Sequence, residues 1–189
     1  MTAGDSGISV TAEISSSEEP PWSAEQVGDE FVIDDGCAGI EDCEVDFTIE
    51  VAGTADVTIN SGSGNVTIAD MNSTVIVASD AGNVLLNGIT GPISVDLVAG
   101  DVLGARLVST VATFNTGSGD LDVTLTEVFE SLTVTSGSGD VKAQVPGGGY
   151  DIDATTDSGD VEIDVDDVDG AAAKITMNTS SGDVTIYRR

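Results

Sequence analysis

Polar and apolar residues alternate with period two over most of the chain, in pairs of short runs that flank a recurring four-residue signature. It reads small-Gly-Asp/Asn-apolar, in Ser63-Gly64-Asn65-Val66, Ala81-Gly82-Asn83-Val84, Ala99-Gly100-Asp101-Val102, Ser118-Gly119-Asp120-Leu121, Ser138-Gly139-Asp140-Val141, Ser158-Gly159-Asp160-Val161 and Ser181-Gly182-Asp183-Val184. Subtracting successive glycine numbers gives spacings of 18, 18, 19, 20, 20 and 23. Seven and five residues before each Gly stand apolar residues such as Val57/Ile59 and Leu132/Val134, and two and four residues after it Val66/Ile68 or Val184/Ile186. Gly104 is the one break in that apolar set. The β-branched content and the polar residues between make each flank a strand with one buried face.

Each unit then reads as strand, tight turn, strand and a corner of variable length. The Gly takes a backbone position that needs positive φ, and the Asp or Asn is expected to hydrogen-bond its own turn. One unit cannot bury enough apolar surface to offset the entropy of ordering its backbone. Coils laid on one another at the strand spacing of about 4.8 Å would satisfy the backbone and merge the apolar strips into one core. A leucine-rich repeat has a similar period, but its L-x-x-L-x-L frame is absent. A sandwich of hairpins would also show Gly-Asp turns, yet has no reason to hold constant offsets through seven of them. The expected fold is all-β, a β-solenoid with coils of about 18–23 residues.

Residues 1–52 lack the signature. Ile8–Ile14, Phe31–Ile33 and Val45–Val51 alternate as strands around a polar loop from Ser15 to Glu30, and read as a capping segment plus a lead-in coil before solenoid repeats over 53–189. The two are expected to form one domain. After the last repeat strand the sequence reads Ile186-Tyr187-Arg188-Arg189, so the C-terminal coil is expected to be the open end of the stack, guarded by two arginines or covered by another chain.

Charge narrows the function classes. With 34 acidic against 5 basic residues the net charge is -29, which repels nucleic-acid phosphates and anionic lipid. No apolar run reaches the roughly 18 residues of a membrane helix, and Met1–Asp5 carries neither a basic region nor an apolar signal core. The acid excess resembles proteins of extreme halophiles such as halophilic archaea, where salt screens self-repulsion. Histidine is absent, which removes the commonest general base and metal ligand together. Cys37 and Cys43 are too few and wrongly spaced for zinc; a disulfide between them, implying an oxidising compartment, is favoured over two buried thiols.

The serial S-G-S-G-D-V-x-h blocks (h apolar) at Ser61 to Ile68, Ser136 to Ala143 and, shortened, Ser180 to Ile186 resemble the adhesin-like β-helix domains also called toastrack domains, over roughly residues 45–189. The resemblance implies a single-stranded right-handed β-helix, on or near the cell envelope or outside the cell, acting as an adhesive or assembly surface without catalysis. It offers no catalytic motif to carry over.

Stacking would bring Asp101, Asp120, Asp140, Asp160 and Asp183 into a row continued by Asn65 and Asn83. Like charges about 5 Å apart invite loosely held Ca²⁺, Mg²⁺ or K⁺, or bulk screening alone. The calcium-roll frame is missing, and Asp164–Gly170 departs from an EF-hand loop by placing Val165 first and Thr176 where Glu belongs. Stacked carboxylates meet the retaining-glycosidase separation trivially, and the few aromatics form no platform. Lys142 and Lys174 have outward offsets, unsuited to a Ser–Lys dyad, and no phosphate loop occurs. Ser61, Ser79, Thr116, Ser136, Thr156 and Thr179, three residues before the Gly, are expected to exchange hydrogen bonds between coils. Sequons at Asn65, Asn72 and Asn178 add slight weight to export.

The sequence thus points to a non-catalytic adhesin-like surface or scaffold module that contacts a protein or cell-envelope component through its strand faces and loops, with no nucleic acid, membrane insertion or resident cofactor. The alternatives are a structural protein that stacks end to end through the C-terminal coil, and, further off, a carbohydrate-acting β-helix enzyme.

Overall fold

The computed structural model describes residues 9–14, 20–27, 30–34, 36–37, 40, 45–51 and 54–189. Among them are strands and turns and no helix. The chain forms two compact units, Met1–Ala52 and Gly53–Arg189.

In the first unit β1 (Ser9–Ile14) runs antiparallel to β4 (Val45–Glu50), and β2 (Ser23–Val27) antiparallel to β3 (Glu30–Asp34). Trp22 meets Phe47 edge to face with ring centres 5.8 Å apart. The expected lead-in coil is therefore corrected: Val45–Glu50 joins an antiparallel ladder, because no Gly-Asp signature directs it into a parallel coil. The expected loop from Ser15 to Glu30 likewise contains β2. Ile8 and Ser15 lie outside the described residues.

The second unit is a β-solenoid of seven coils. Coil 1 comprises β5 (Val57–Ser63) and β6 (Val66–Ala69), coil 2 β7 (Val75–Ala81) and β8 (Val84–Asn87), coil 3 β9 (Ile93–Ala99) and β10 (Val102–Leu107). Coil 4 comprises β11 (Val111–Thr116) and β12 (Leu121–Leu125), coil 5 β13 (Ser131–Ser136) and β14 (Val141–Val145), coil 6 β15 (Gly149–Ser158) and β16 (Val161–Asp164). A two-residue strand, β17 (Asp166–Asp167), follows, and coil 7 comprises β18 (Lys174–Ser181) and β19 (Val184–Arg188). The first strands of the coils, with β17 at the edge, form an eight-stranded sheet and the second strands a seven-stranded sheet, paired in parallel throughout.

Apolar offsets become inward columns. Val66, Val84, Val102, Leu121, Val141 and Val184 are successive partners across the seven-stranded sheet, and Val161 adds the end of that column. Phe114, Leu121, Leu132, Ile175 and Met177 are among the fully buried side chains between the sheets. Close packing of this kind supplies most of the stability of a solenoid, one coil on the next.

The coils do not stack in chain order. Spatially they run 1, 2, 3, 4, 5, 7, 6: β19 lies between β14 and β16, and β18 between β13 and β15. The C-terminal coil is thus an interior layer, which corrects its expected place at the open end. Val184 and Ile186 are fully covered, so an end-to-end contact cannot use them. Coil 6 is the outer layer instead, and its Val161 and Ile163 are 43% and 39% exposed. Tyr150 from the start of coil 6 stacks on Phe129 from the lead into coil 5, with centres 5.3 Å apart and planes 9° from parallel. Coil 7 passes between these layers at Ala173-Lys174, where Lys174 N–H donates to Glu130 and Asp151 N–H to Ala173.

Gly104 occupies its column because a neighbour fills the space. A Cβ there would lie 2.8 Å from Leu107 Cδ1 and 3.3 Å from Val123 Cγ1. Leu107 is turned inward by Arg106, whose φ is +52°; Asp70 at +55° and Gly88 at +67° hold the same corner in coils 1 and 2. The pairing skips a residue between Gly104 and Leu107, so coils 1 to 3 bury Met71, Ile89 and Leu107 seven residues after the turn Gly, whereas coils 4 and 5 bury Leu125 and Val145 six after it.

Candidate functional site

The seven turns form one column. Gly64, Gly82, Gly100, Gly119, Gly139, Gly159 and Gly182 have φ between +118° and +148°. From the second layer on, an added Cβ would meet the carbonyl oxygen of the glycine in the layer beneath at 2.1–2.3 Å. Both the backbone conformation and the close approach therefore require glycine.

The adjacent Asp or Asn does not bond its own turn, as the sequence suggested. Its Oδ1 accepts the backbone N–H of the equivalent residue one layer on. The chain of bonds runs from Asn65 to Asn83 (2.9 Å), Asp101 (2.9 Å), Asp120 (2.8 Å), Asp140 (2.8 Å), Asp183 (3.0 Å) and Asp160 (2.9 Å). An acceptor opposite each exposed N–H completes the backbone pairing where the strands end. The Asp183 N–H is also the main reason why Asp140 titrates below its ordinary value; burial opposes the shift, and Lys142, 3.5 Å away, assists it.

Inside the turn column the hydroxyls hold the glycine carbonyls. Thr116 donates to Gly100, Ser136 to Gly119, Thr179 to Gly139 and Thr156 to Gly182, at 2.9–3.1 Å. Ser61 and Ser79 donate within their own coils, to Ser63 and Ala81. The polar groups of the turns are thus engaged in holding layers together. Among the described residues no three Asp, Glu or Cys side chains form a group able to hold a metal ion. Lys142 and Lys174 point outward, the latter 3.7 Å from Asp151. The Asp164–Gly170 segment carries β17, where Asp167 accepts from the Ile152 N–H. Cys37 is disulfide-bonded; Cys43 lies outside the described residues.

The broadest regular surface is the outward side of the eight-stranded sheet. One row across the layers is Thr58, Ile76, Ser94, Thr113, Thr133, Thr176 and Asp153, and the next is Asn60, Ala78, Asp96, Asn115, Thr135, Asn178 and Thr155. Hydroxyls and amides dominate, with Thr155 donating to Asn178 at 2.6 Å. Two carboxylates, Asp96 and Asp153, stand among these fourteen positions. The sequence pointed to strand faces and loops without singling out this sheet, although the odd offsets between the apolar columns spell out its residues.

No curated protein and no solved structure matches the chain. The parallel coils, the glycine column and the inter-layer Asp ladder coincide with a match to the profile of one family, Toastrack DUF4097, over residues 38–188, and the chain belongs to that toastrack family.

Proposed function

We propose that the chain is an adhesin-like surface or scaffold module, outside the cell or on its surface, that binds a protein or another cell-envelope component through the outward face of the eight-stranded sheet. Toastrack DUF4097 is not a known enzyme family, and a β-solenoid of this kind suggests a structural or interaction module. The carrying observation is a face built mainly of hydroxyls and amides, with ten Ser, Thr or Asn side chains among its fourteen central positions. In a chain of net charge -29, the two central rows of this face hold two carboxylates among hydroxyls and amides. Contact surfaces are depleted in charged residues at their centre, and a flat strand face presents regularly spaced polar groups without first ordering a loop. The disulfide at Cys37 supports an oxidising compartment. The acidic turns keep the remaining surface soluble and suit a high-salt habitat.

The test is retention of the purified chain on isolated cell envelopes. Thr133→Glu combined with Asn115→Asp should lower retention about tenfold, the effect of about 1.4 kcal/mol. Thr67→Glu with Thr185→Glu, on the seven-stranded sheet, should leave it unchanged. Equal effects from both pairs, or none from the first, would reject this face as the contact surface.

A further inference from the structure

We infer that coils 6 and 7 form a unit that two copies of this chain exchange, hinged at Pro146-Gly147-Gly148. Among the described residues, β16 pairs only with β19, and β15 only with β18 and β17, so coil 6 joins the sheets through coil 7, and Tyr150 on Phe129 adds a direct contact to the lead into coil 5. Coil 7 in turn seats on coil 5, with Ile175 opposite Leu132 and Val184 opposite Val141. Residues 149–189 therefore share one continuous plane of strand pairing with the rest of the solenoid.

The covalent link across that plane is three residues long and crosses two layers. Residues 146–148 carry the chain from coil 5 to coil 6, past the layer that coil 7 fills, a rise of about 9.6 Å at twice the strand spacing. Residues 108–110 are as few, but cross a single layer from coil 3 to coil 4. Gly147 and Gly148 are exposed. Coil 5 of a second copy offers the same edge to the 149–189 unit, and reciprocal exchange closes with two-fold symmetry. A connector this short leaves few ways for the unit to close on its own chain, and short hinges favour exchange.

Simple stacking of two outer layers is opposed by charge. Residues 149–173 carry nine carboxylates and no Lys or Arg, so two such ends repel. Exchange instead uses the interior apolar faces of coils 5 and 7.

Refolding of the full chain at about 1 mM and about 1 μM, on either side of the effective concentration of a short link, followed by light scattering, tests the inference. The high concentration should give dimers that persist after dilution, and the low concentration monomers. Deleting Gly147 and Gly148 should give dimers at both, and inserting five Gly/Ser residues after Gly148 monomers at both. A natural chain that stays monomeric at both concentrations, dimers that dissociate at once on dilution, or a folded monomer of the shortened chain would each overturn the exchange. If the shortened chain does not fold, the two concentrations of the natural chain decide.

Discussion

The backbone N–H of Asp183 donates to the Asp140 carboxylate at 3.0 Å, although the two residues are 43 apart and the equivalent turn at Asp160 lies between them in the chain. Asp160 N–H donates to Asp183 instead, at 2.9 Å. The ladder passes from coil 5 to coil 7 and then to coil 6, so a hydrogen bond at an exposed turn records the order in which the layers lie.

This bond sets an acid limit. Asp140 is held below its ordinary 3.8 chiefly by the Asp183 N–H. A depressed folded value means stability that is fully present above about pH 3.8 and lost as pH falls through the lowered value. Asp140→Asn keeps an oxygen acceptor, as Asn65 and Asn83 do, and removes the titration. Its urea midpoint should fall less steeply than that of the natural chain below about pH 4, whereas Asp140→Ala should lose about 1 kcal/mol even at neutral pH.

The break at Gly104 gives a two-mutation test. Gly104→Val restores the apolar pattern of the other coils, yet should destabilise by about 1–3 kcal/mol through overpacking against Leu107. Leu107→Ala alone should cost about 2–5 kcal/mol. Denaturant unfolding of the double variant should show less loss than the sum, since the valine enters space the leucine vacates.

Gly182 sits between two layers at φ +136°, and a Cβ would lie 2.3 Å from the Gly139 carbonyl oxygen. Gly182→Ala should cost about 3 kcal/mol or more, because strain and a displaced layer add. Gly64 has a similar φ of +118° but nothing within 4 Å of the added Cβ. Gly64→Ala should cost only the backbone term of about 1–3 kcal/mol, and thermal melts of the two variants separate strain from contact.

Tyr150 sets an alkaline limit. Burial pushes its phenol above the ordinary 10.0, against a smaller opposing effect of Arg188. Stability from the neutral form is fully present below about pH 10 and lost as pH rises through the raised value. Tyr150→Phe keeps the stack on Phe129 but removes the 2.6 Å hydrogen bond to Pro146. It should cost about 1 kcal/mol at pH 7 and flatten the decline in stability above about pH 10.

Alternation and constant offsets were enough to place Val66, Val84 and Val141 in one inward column, because the side-chain period of a strand leaves no other common face. The glycine column was legible for a similar reason: no other residue combines positive φ with a carbonyl 2.1–2.3 Å from its Cβ position. The switch from Met71, Ile89 and Leu107 to Leu125 and Val145 was also written in the residues, as an apolar position moving from seven to six after the Gly.

The amino-acid sequence by itself determined which side chains face inward, where the chain turns, and that stacking is needed to bury the apolar strips. Those properties follow from local backbone geometry and the two-residue period. Only the tertiary structure decided that coil 7 lies beneath coil 6 and that the aspartates bond across layers. Every coil presents nearly the same edge and the same turn acceptor, so periodicity cannot choose a neighbour. That choice falls to aperiodic contacts, such as Tyr150 on Phe129, which exist only once distant segments have met.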